Sequence, residues 1–472
     1  MRFDNLNDWL TWQQSLNPVE IDLGLERVAK VQSQAGLPSS FDCPLITVAG
    51  TNGKGSVVAM LEAISMAAGL KVCCYTSPHL FQYNERIRVN GQPVTDDVLC
   101  EAFERIDQAR KLPKGKSLLT YFEFGTLAAI DVFFRQQPDL VILEVGLGGR
   151  LDAVNIMDAD VSVLTSVAID HVDWLGDNRE SIGYEKAGIF RPGKPAICGE
   201  LVTPDSVIKH AEKLQCEFIQ LGRDYDISIN ASNAHWDLTS PYSDLSDLAQ
   251  PSLIGHFQYL NAATAIVAMQ ALAMKTLFSS EVISAALKQI DLPGRFQRVN
   301  SNPSVYVDVA HNPQAALALA SQLQASRHKS AKTWAIVAML ADKDINAVLQ
   351  NVSAQIDFWC FAGLEKVSRG LAVEVLLENL PAAFIRDNFI AQTKQENRCK
   401  VMHENRFIDT VQHASTVKKA CEIILSKANE NDRIIVFGSF YTVAEAMQYF
   451  SNFSHGQVSH GRVNNELEES IN

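Results

Sequence analysis

Along the first 220 residues, apolar positions recur in two alternating rhythms. Short continuous apolar runs of strand length occur at "PLITVAG" (44–50), "LKVCCYTS" (70–77), "PDLVILEVG" (138–146) and "ADVSVLTSVAID" (159–170). Between them lie stretches with helical spacing, such as "DDVLCEAFERIDQAR" and "FGTLAAIDVFFRQQ". Apolar strands without an exposed polar face, separated by helices, predict a mainly parallel sheet covered on both sides. Residues 5–16 and 22–35 read as short helices ahead of the first strand. After that strand, Val57, Leu61, Ile64 and Ala68 share one face of a helix ending near Gly69.

From about 217 to 254 the pattern becomes polar and alternating, which predicts a small antiparallel patch. A helix begins at "NAATAIVAMQALAM", and Pro and Gly in "LPGRFQRV" (292–299) punctuate the end of a unit. A second series of strands follows: "SVYVDVA", "TWAIVAML", "DFWCFAGL" and "DRIIVFGS", again separated by helices. The expected fold is α/β. It comprises a P-loop-containing, mainly parallel sheet domain over 1–298 and a C-terminal Rossmann-like α/β domain over 299–450. A polar, disordered tail is expected from 451 to 472.

Composition narrows the function classes. The chain has 472 residues, 47% hydrophobic and 20% charged, which is globular and long enough for two or three domains. A net charge of -13 disfavours nucleic acid as a partner. Nine cysteines without a C-x-x-C pair point to reduced buried thiols rather than disulfides or zinc. The absence of a long apolar run predicts no membrane association and a cytoplasmic location.

Candidate chemistry starts at "VAGTNGKGSVVAML" (48–61). The loop sits between a strand and a helix, and its glycines let backbone N–H groups turn toward an anion. It departs from the G-x-x-x-x-G-K-[ST] pattern, because Val48 replaces the first glycine and Gly55 separates Lys54 from Ser56. Lys54 is expected to neutralise terminal phosphates. Later strands are each expected to end in a hard ligand or acid: Ser77 and His79, then Glu144 with Asp152, then Asp170-His171, with Lys186 beyond. In a parallel sheet these ends line one crevice, and such oxygen donors suit Mg²⁺ beside a nucleotide. The second series repeats the habit with Asp308, His311, Lys343 and Ser439, and Arg295 lies in the connection. The residues alone therefore predict an ATP·Mg²⁺-using enzyme working between two α/β domains. They leave the substrate open.

Taken in order, "GTNGKGS", "TSPHL", "EVGLGGRLDA", "DHVDWLG", "EKAGI", "LPGRFQ", "DVAHNP", "DKD" and "GSFYTV" resemble the Mur-ligase-like enzymes that extend folates. The likeness spans roughly residues 20–445 and is nearest to the bifunctional branch. That family's loop carries Lys, Gly, then Ser or Thr, so the irregular loop is its own form. The resemblance implies a first domain of the Mur ligase central type and a monomeric ligase. It would use ATP and Mg²⁺ at two sites to join L-glutamate to 7,8-dihydropteroate and to reduced folates through an acyl phosphate. It implies that Thr51, Asn52, Gly53, Lys54, Gly55 and Ser56 bind ATP, with Asn261, Arg295 and Asp308. It implies Ser77, Glu144 and His171 as metal ligands and Lys186 as a carbamylated lysine, with Lys54, Glu144, His171 and Lys186 forming the catalytic set. Asp22, Leu23 and Gly24 of "EIDLGLERV" would meet the pteridine. Thr120, Tyr121, Phe122 and Glu123 of "TYFE" would join them, as would Leu151, Asp152 and Ala153. His311 and Ser439 would orient glutamate. The competing readings are a folylpolyglutamate synthase alone, a peptidoglycan Mur ligase, an ATPase without ligation and a non-catalytic binding module.

Overall fold

The computed structural model describes residues 1–111, 117–230, 235–272, 278–327, 331–367, 369–378, 380 and 411–463. The chain divides into two compact units, Met1–Leu292 and Pro293–Asn472. The division falls at the Pro-Gly pair of "LPGRFQRV", a few residues before the expected position of 298/299.

The first unit is built on β1 (Leu45–Ala49), β2 (Val72–Tyr75), β3 (Ile87–Val89), β4 (Gln92–Pro93), β5 (Leu140–Glu144), β6 (Val161–Leu164), β7 (Pro195–Cys198) and β8 (Glu217–Gln220). Their order across the sheet is β4-β3-β2-β5-β1-β6-β7-β8. Every pairing from β2 to β8 is parallel, and β3 and β4 add an antiparallel edge. Successive residues of one strand enter opposite cores. Leu45 and Ala49 pack with helix Tyr121–Gln136, whereas Ile46 and Val48 pack with helices Lys54–Ala67 and His256–Ala271. The strands are apolar throughout because both faces are covered.

The antiparallel patch consists of β9 (Asp226–Ile229), β10 (His235–Thr239) and β11 (Leu245–Ala249). It starts later than the expected 217. Residues 217–220 form β8, paired in parallel with β7 as the edge of the large sheet. An edge strand is half exposed, so its sequence "EFIQ" mixes polar with apolar and imitates the patch.

The second unit carries β12 (Gln297–Ser301), β13 (Ser304–Asp308), β14 (Thr333–Val337), β15 (Phe358–Ala362), β16 (Val411–Ala414) and β17 (Arg433–Phe437). The order is β12-β13-β17-β14-β15-β16, parallel except for the β12 hairpin at one edge. The closing helix, Phe440–Val463, carries regular backbone into the segment expected as a tail. Once a helix is nucleated, each added residue gains one backbone hydrogen bond whatever its polarity. Residues 464–472 of that expected tail and Cys399 lie outside the described residues. Among the described residues, no helix is long and apolar enough to cross a membrane.

Candidate active site

The loop Thr51–Ser56 follows β1 and runs into the N-terminus of helix Lys54–Ala67. Gly53, at a φ of +88°, caps that helix, and a Cβ there would lie 2.8 Å from Asn261 Oδ1. Only glycine admits both the left-handed backbone and the approach of Asn261. Asn261 is thereby brought to the loop, and its Nδ2 donates to Gln258 Oε1 at 3.0 Å.

The segment after β6 fastens the start of the loop. Thr51 N donates to Ser166 O at 2.9 Å, and Asn52 N donates to Ser166 Oγ at 2.9 Å. The hydroxyls of Thr165 and Ser166 donate to Asn52 O at 2.6 and 3.0 Å. Thr51 Oγ1 donates to Ala168 O at 3.1 Å and accepts from Ala168 N at 3.0 Å. The Thr51 and Asn52 amides are thus engaged within the protein, which leaves anion binding to the amides from Gly53 onward. Lys54 Nζ folds back onto the carbonyls of Gly50 and Thr51, at 2.9 and 3.2 Å. Nothing periodic in the sequence marks Thr165 and Ser166. Their only signal is two hydroxyl residues directly after an apolar strand.

Among the expected metal ligands, Ser77 and Glu144 are neighbours: Ser77 N donates to Glu144 Oε2 at 3.1 Å, and Glu144 is 4% exposed. His171 has a left-handed backbone, φ +52°, and its N–H is held by the Asp170 side chain at 2.9 Å. Its Nε2 lies 4.0 Å from Asp170 Oδ1. Among the described residues, no three His, Cys, Asp or Glu side chains converge.

Lys186 and Asp152 are both buried. Burial first, and then the charge of Lys54, push the Lys186 ammonium down to about 7, while Asp170 and Asp152 act against the shift. Burial pushes the Asp152 carboxyl up to about 7, against backbone hydrogen bonds from Leu147, Val154 and Gly146 and the charge of Lys54. Buried titratable groups shifted in this way, beside a phosphate loop, mark a candidate reacting site.

The expected pteridine segments form a continuous wall. Thr120 and Glu123 cap helix Tyr121–Gln136 reciprocally. The Phe122 ring lies against Gly146, where a Cβ would come within 2.6 Å of it, and 5.8 Å from the Tyr75 ring. Asp152 caps the turn Ala153–Ile156 that follows Leu151. Asp22, beside Leu23 and Gly24, is tied to this wall by Arg27, a residue that sequence reasoning missed because Glu123 is 96 positions away.

In the second unit, Asp308 is half-buried and accepts the N–H groups of Phe296 and Ala310, both at 2.8 Å. Burial raises its pKa, opposed by Arg295 and those amides. Arg295 lies over the Phe440 ring at 5.6 Å, and the His311 ring is 6.4 Å from the same ring. Ser439 is buried, shares a 2.7 Å hydrogen bond with Thr442 Oγ1 and accepts Thr442 N–H at 3.1 Å, which caps the closing helix. Lys343 pairs with Asp342 at 3.4 Å.

Two family models match the chain: "Mur ligase middle domain" over residues 48–269 and "Mur ligase, glutamate ligase domain" over residues 294–440. The dihydrofolate synthase/folylpolyglutamate synthase of Escherichia coli (strain K12) is 40% identical over 445 residues, covering 94% of this chain and 95% of that one. The structure of E. coli FolC in complex with DHPP and ADP has a TM-score of 0.83 at 39% identity, covering 96% of this chain and 99% of that one. A bifunctional folylpolyglutamate synthase/dihydrofolate synthase with Mn, AMPPNP and L-glutamate bound gives 0.80 at 39% identity, covering 94% of this chain and 98% of that one.

Proposed function

We propose that this chain, which belongs to the Mur ligase family and within it to the dihydrofolate synthase/folylpolyglutamate synthases, is an ATP-dependent ligase making two products. It joins L-glutamate to 7,8-dihydropteroate, and it adds further glutamates to reduced folate through γ-linked amides. The observation that carries the reading is the phosphate loop, with Lys54 electrostatically coupled to buried Lys186 and Asp152.

The chemistry follows from charge. A carboxylate oxygen of the pteroate or folate attacks the γ-phosphorus of ATP, and the β–γ bridging bond breaks to release ADP and leave an acyl phosphate. The glutamate amine then attacks the acyl carbon, loses a proton and expels phosphate. Carboxylate and triphosphate repel each other, so the protein's task is to neutralise and align them. Lys54 and the amides from Gly53 onward hold the transferring phosphate, and Asn261 fixes the turn that presents them. Arg295 and Asp308 complete the ATP-binding set.

Mg²⁺ characteristically keeps several waters and takes one or two carboxylates plus substrate phosphates, which fits a donor set of Glu144, Ser77 and His171. When bound there, the ion would neutralise phosphate charge. Lys186 is suited to CO₂: its neutral amine forms an N–C bond to the carbon and releases a proton, giving a carbamate oxygen donor. Tyr121 and Phe122 offer the pteridine a ring face. The same reading makes the enzyme a cytoplasmic monomer.

The test is phosphate release from ATP with L-glutamate plus dihydropteroate, with L-glutamate plus reduced folate, and with neither. Release in the first two alone is expected. Release with folate only would reduce the activity to polyglutamylation, and release without acceptor would make the protein an ATPase.

A further inference from the structure

The pteridine wall is held together by a residue the reaction scheme does not use. Arg27 lies in the first turn of helix Glu26–Gln34. Its Nη1 is 2.7 Å from Asp22 Oδ2, and its Nη2 is 2.7 Å from Glu123 Oε1. Its Nε donates to Glu123 Oε2 at 2.9 Å, and Nη2 also donates to the Asp22 carbonyl. Glu123 is buried, and its Oε2 accepts the Thr120 N–H at 2.8 Å as well.

Both Glu123 oxygens are therefore engaged inside the protein, which makes Glu123 an anchor and not a substrate ligand. Asp22 differs. Its side chain is 43% exposed, and it sits in a stretch without regular secondary structure between Glu20 and Leu25. Unsupported, that carboxylate would sample many orientations, and ordering it on binding would cost affinity. Arg27 removes that freedom by gripping both the side chain and the backbone of Asp22 while being gripped bidentately by Glu123.

We propose that Arg27 is a positioning and specificity-determining residue: it presents the Asp22 carboxylate in one orientation to the donor edge of an aminopyrimidine ring. An amino group beside a ring N–H offers two parallel donors, and a fixed carboxylate offers two matching acceptors. The ligand class is thus a 2-aminopyrimidinone, the head of a pteridine, and this rests on the ligase reading above. A lysine cannot replace Arg27, because a point charge cannot hold two carboxylates in a planar fork.

The experiment compares R27M and R27K with the unaltered chain in the phosphate-release assay, alongside thermal unfolding. In R27M the KM for dihydropteroate and for reduced folate should rise about tenfold, with kcat and the KM for ATP and L-glutamate changed less than about twofold. R27K should fall between. An unchanged KM for the pteridine substrates overturns the proposal. So does a parallel rise in all four KM values that follows a lowered Tm, which would make Arg27 merely structural. If the unaltered chain shows no turnover, the ligase reading fails, and a fluorescence titration with pteroic acid still tests Arg27. Weaker binding by R27M supports it, and equal binding overturns it.

Discussion

The two parallel sheets differ in how they engage the polar groups at their strand ends. Past β1, β5 and β6, the first sheet leaves groups in electrostatic tension. Lys186 is pushed down to about 7, and Asp152 is pushed up to about 7. Past β13 and β17, the second sheet holds its groups by the backbone and, among the described residues, without a buried cation: Asp308, raised by burial like Asp152, accepts two amides, and Ser439 caps a helix. Asp152 and Asp308 are both raised by burial and both accept backbone amides; what sets the first sheet apart is Lys186, a buried cation beside the charge of Lys54, and a group so placed is poised to react. The proposed ligation accordingly puts bond making at the loops of the first sheet and gives the second sheet a role in binding.

Substitutions at the first sheet should have the largest effects. Lys54→Ala and Glu144→Ala should each lower kcat by on the order of 10²- to 10³-fold, with Tm little changed. Substantial residual turnover in either variant would break the contrast. Lys186→Ala should cost roughly 10- to 100-fold. With ¹³C-bicarbonate, the unaltered protein should show a carbamate carbon resonance that this variant lacks. The sign of its pH dependence follows from its proton. Unfolded, the ammonium titrates near its ordinary value of 10.5, and folded it titrates at about 7. Between those values only the unfolded chain carries the proton, so this group makes stability rise with pH across the window. Lys186→Met in CO₂-depleted buffer should flatten that rise, read as Tm against pH. An unchanged slope would show that burial does not shift Lys186. Smaller still, Ser166→Ala removes two loop hydrogen bonds worth roughly 0.5–1.5 kcal/mol each and should raise the KM for ATP several-fold. An unchanged KM would mean the loop keeps its form without that support.

Much of this architecture is legible in the sequence because it is local. β1, β2, β5 and β6 each form one apolar run, and helix Lys54–Ala67 carries its own spacing. The strand-end rule, with the ordered motifs, places Ser77 and Glu144 at strand ends lining one crevice, and the structure makes those strands neighbours and joins the two residues by a hydrogen bond. β8 is misread because an edge strand loses the all-apolar signature. Short pairings such as β3 with β4 leave no period to detect. Arg27 and Ser166 are invisible for a different reason: their partners lie 96 and 114 positions away, and only the folded chain brings them together.

The finest test of the contrast is Ser439. The motif "GSFYTV" resembles a glutamate-orienting segment, while the structure shows the hydroxyl accepting Thr442 N–H at 3.1 Å and meeting Thr442 Oγ1 at 2.7 Å. If its role is to cap, Ser439→Ala should cost about 1 kcal/mol of stability. That loss lowers Tm by roughly 2–4 °C in a unit of this size. The KM for L-glutamate and kcat should stay within about twofold, since no bond to substrate is lost. Ser439→Thr, which keeps a hydroxyl at the cap, should recover most of the Tm. A tenfold rise in the glutamate KM with Tm unchanged would reverse the assignment: the hydroxyl would then face substrate. The second sheet would in that case share in orienting the amine as well as setting shape.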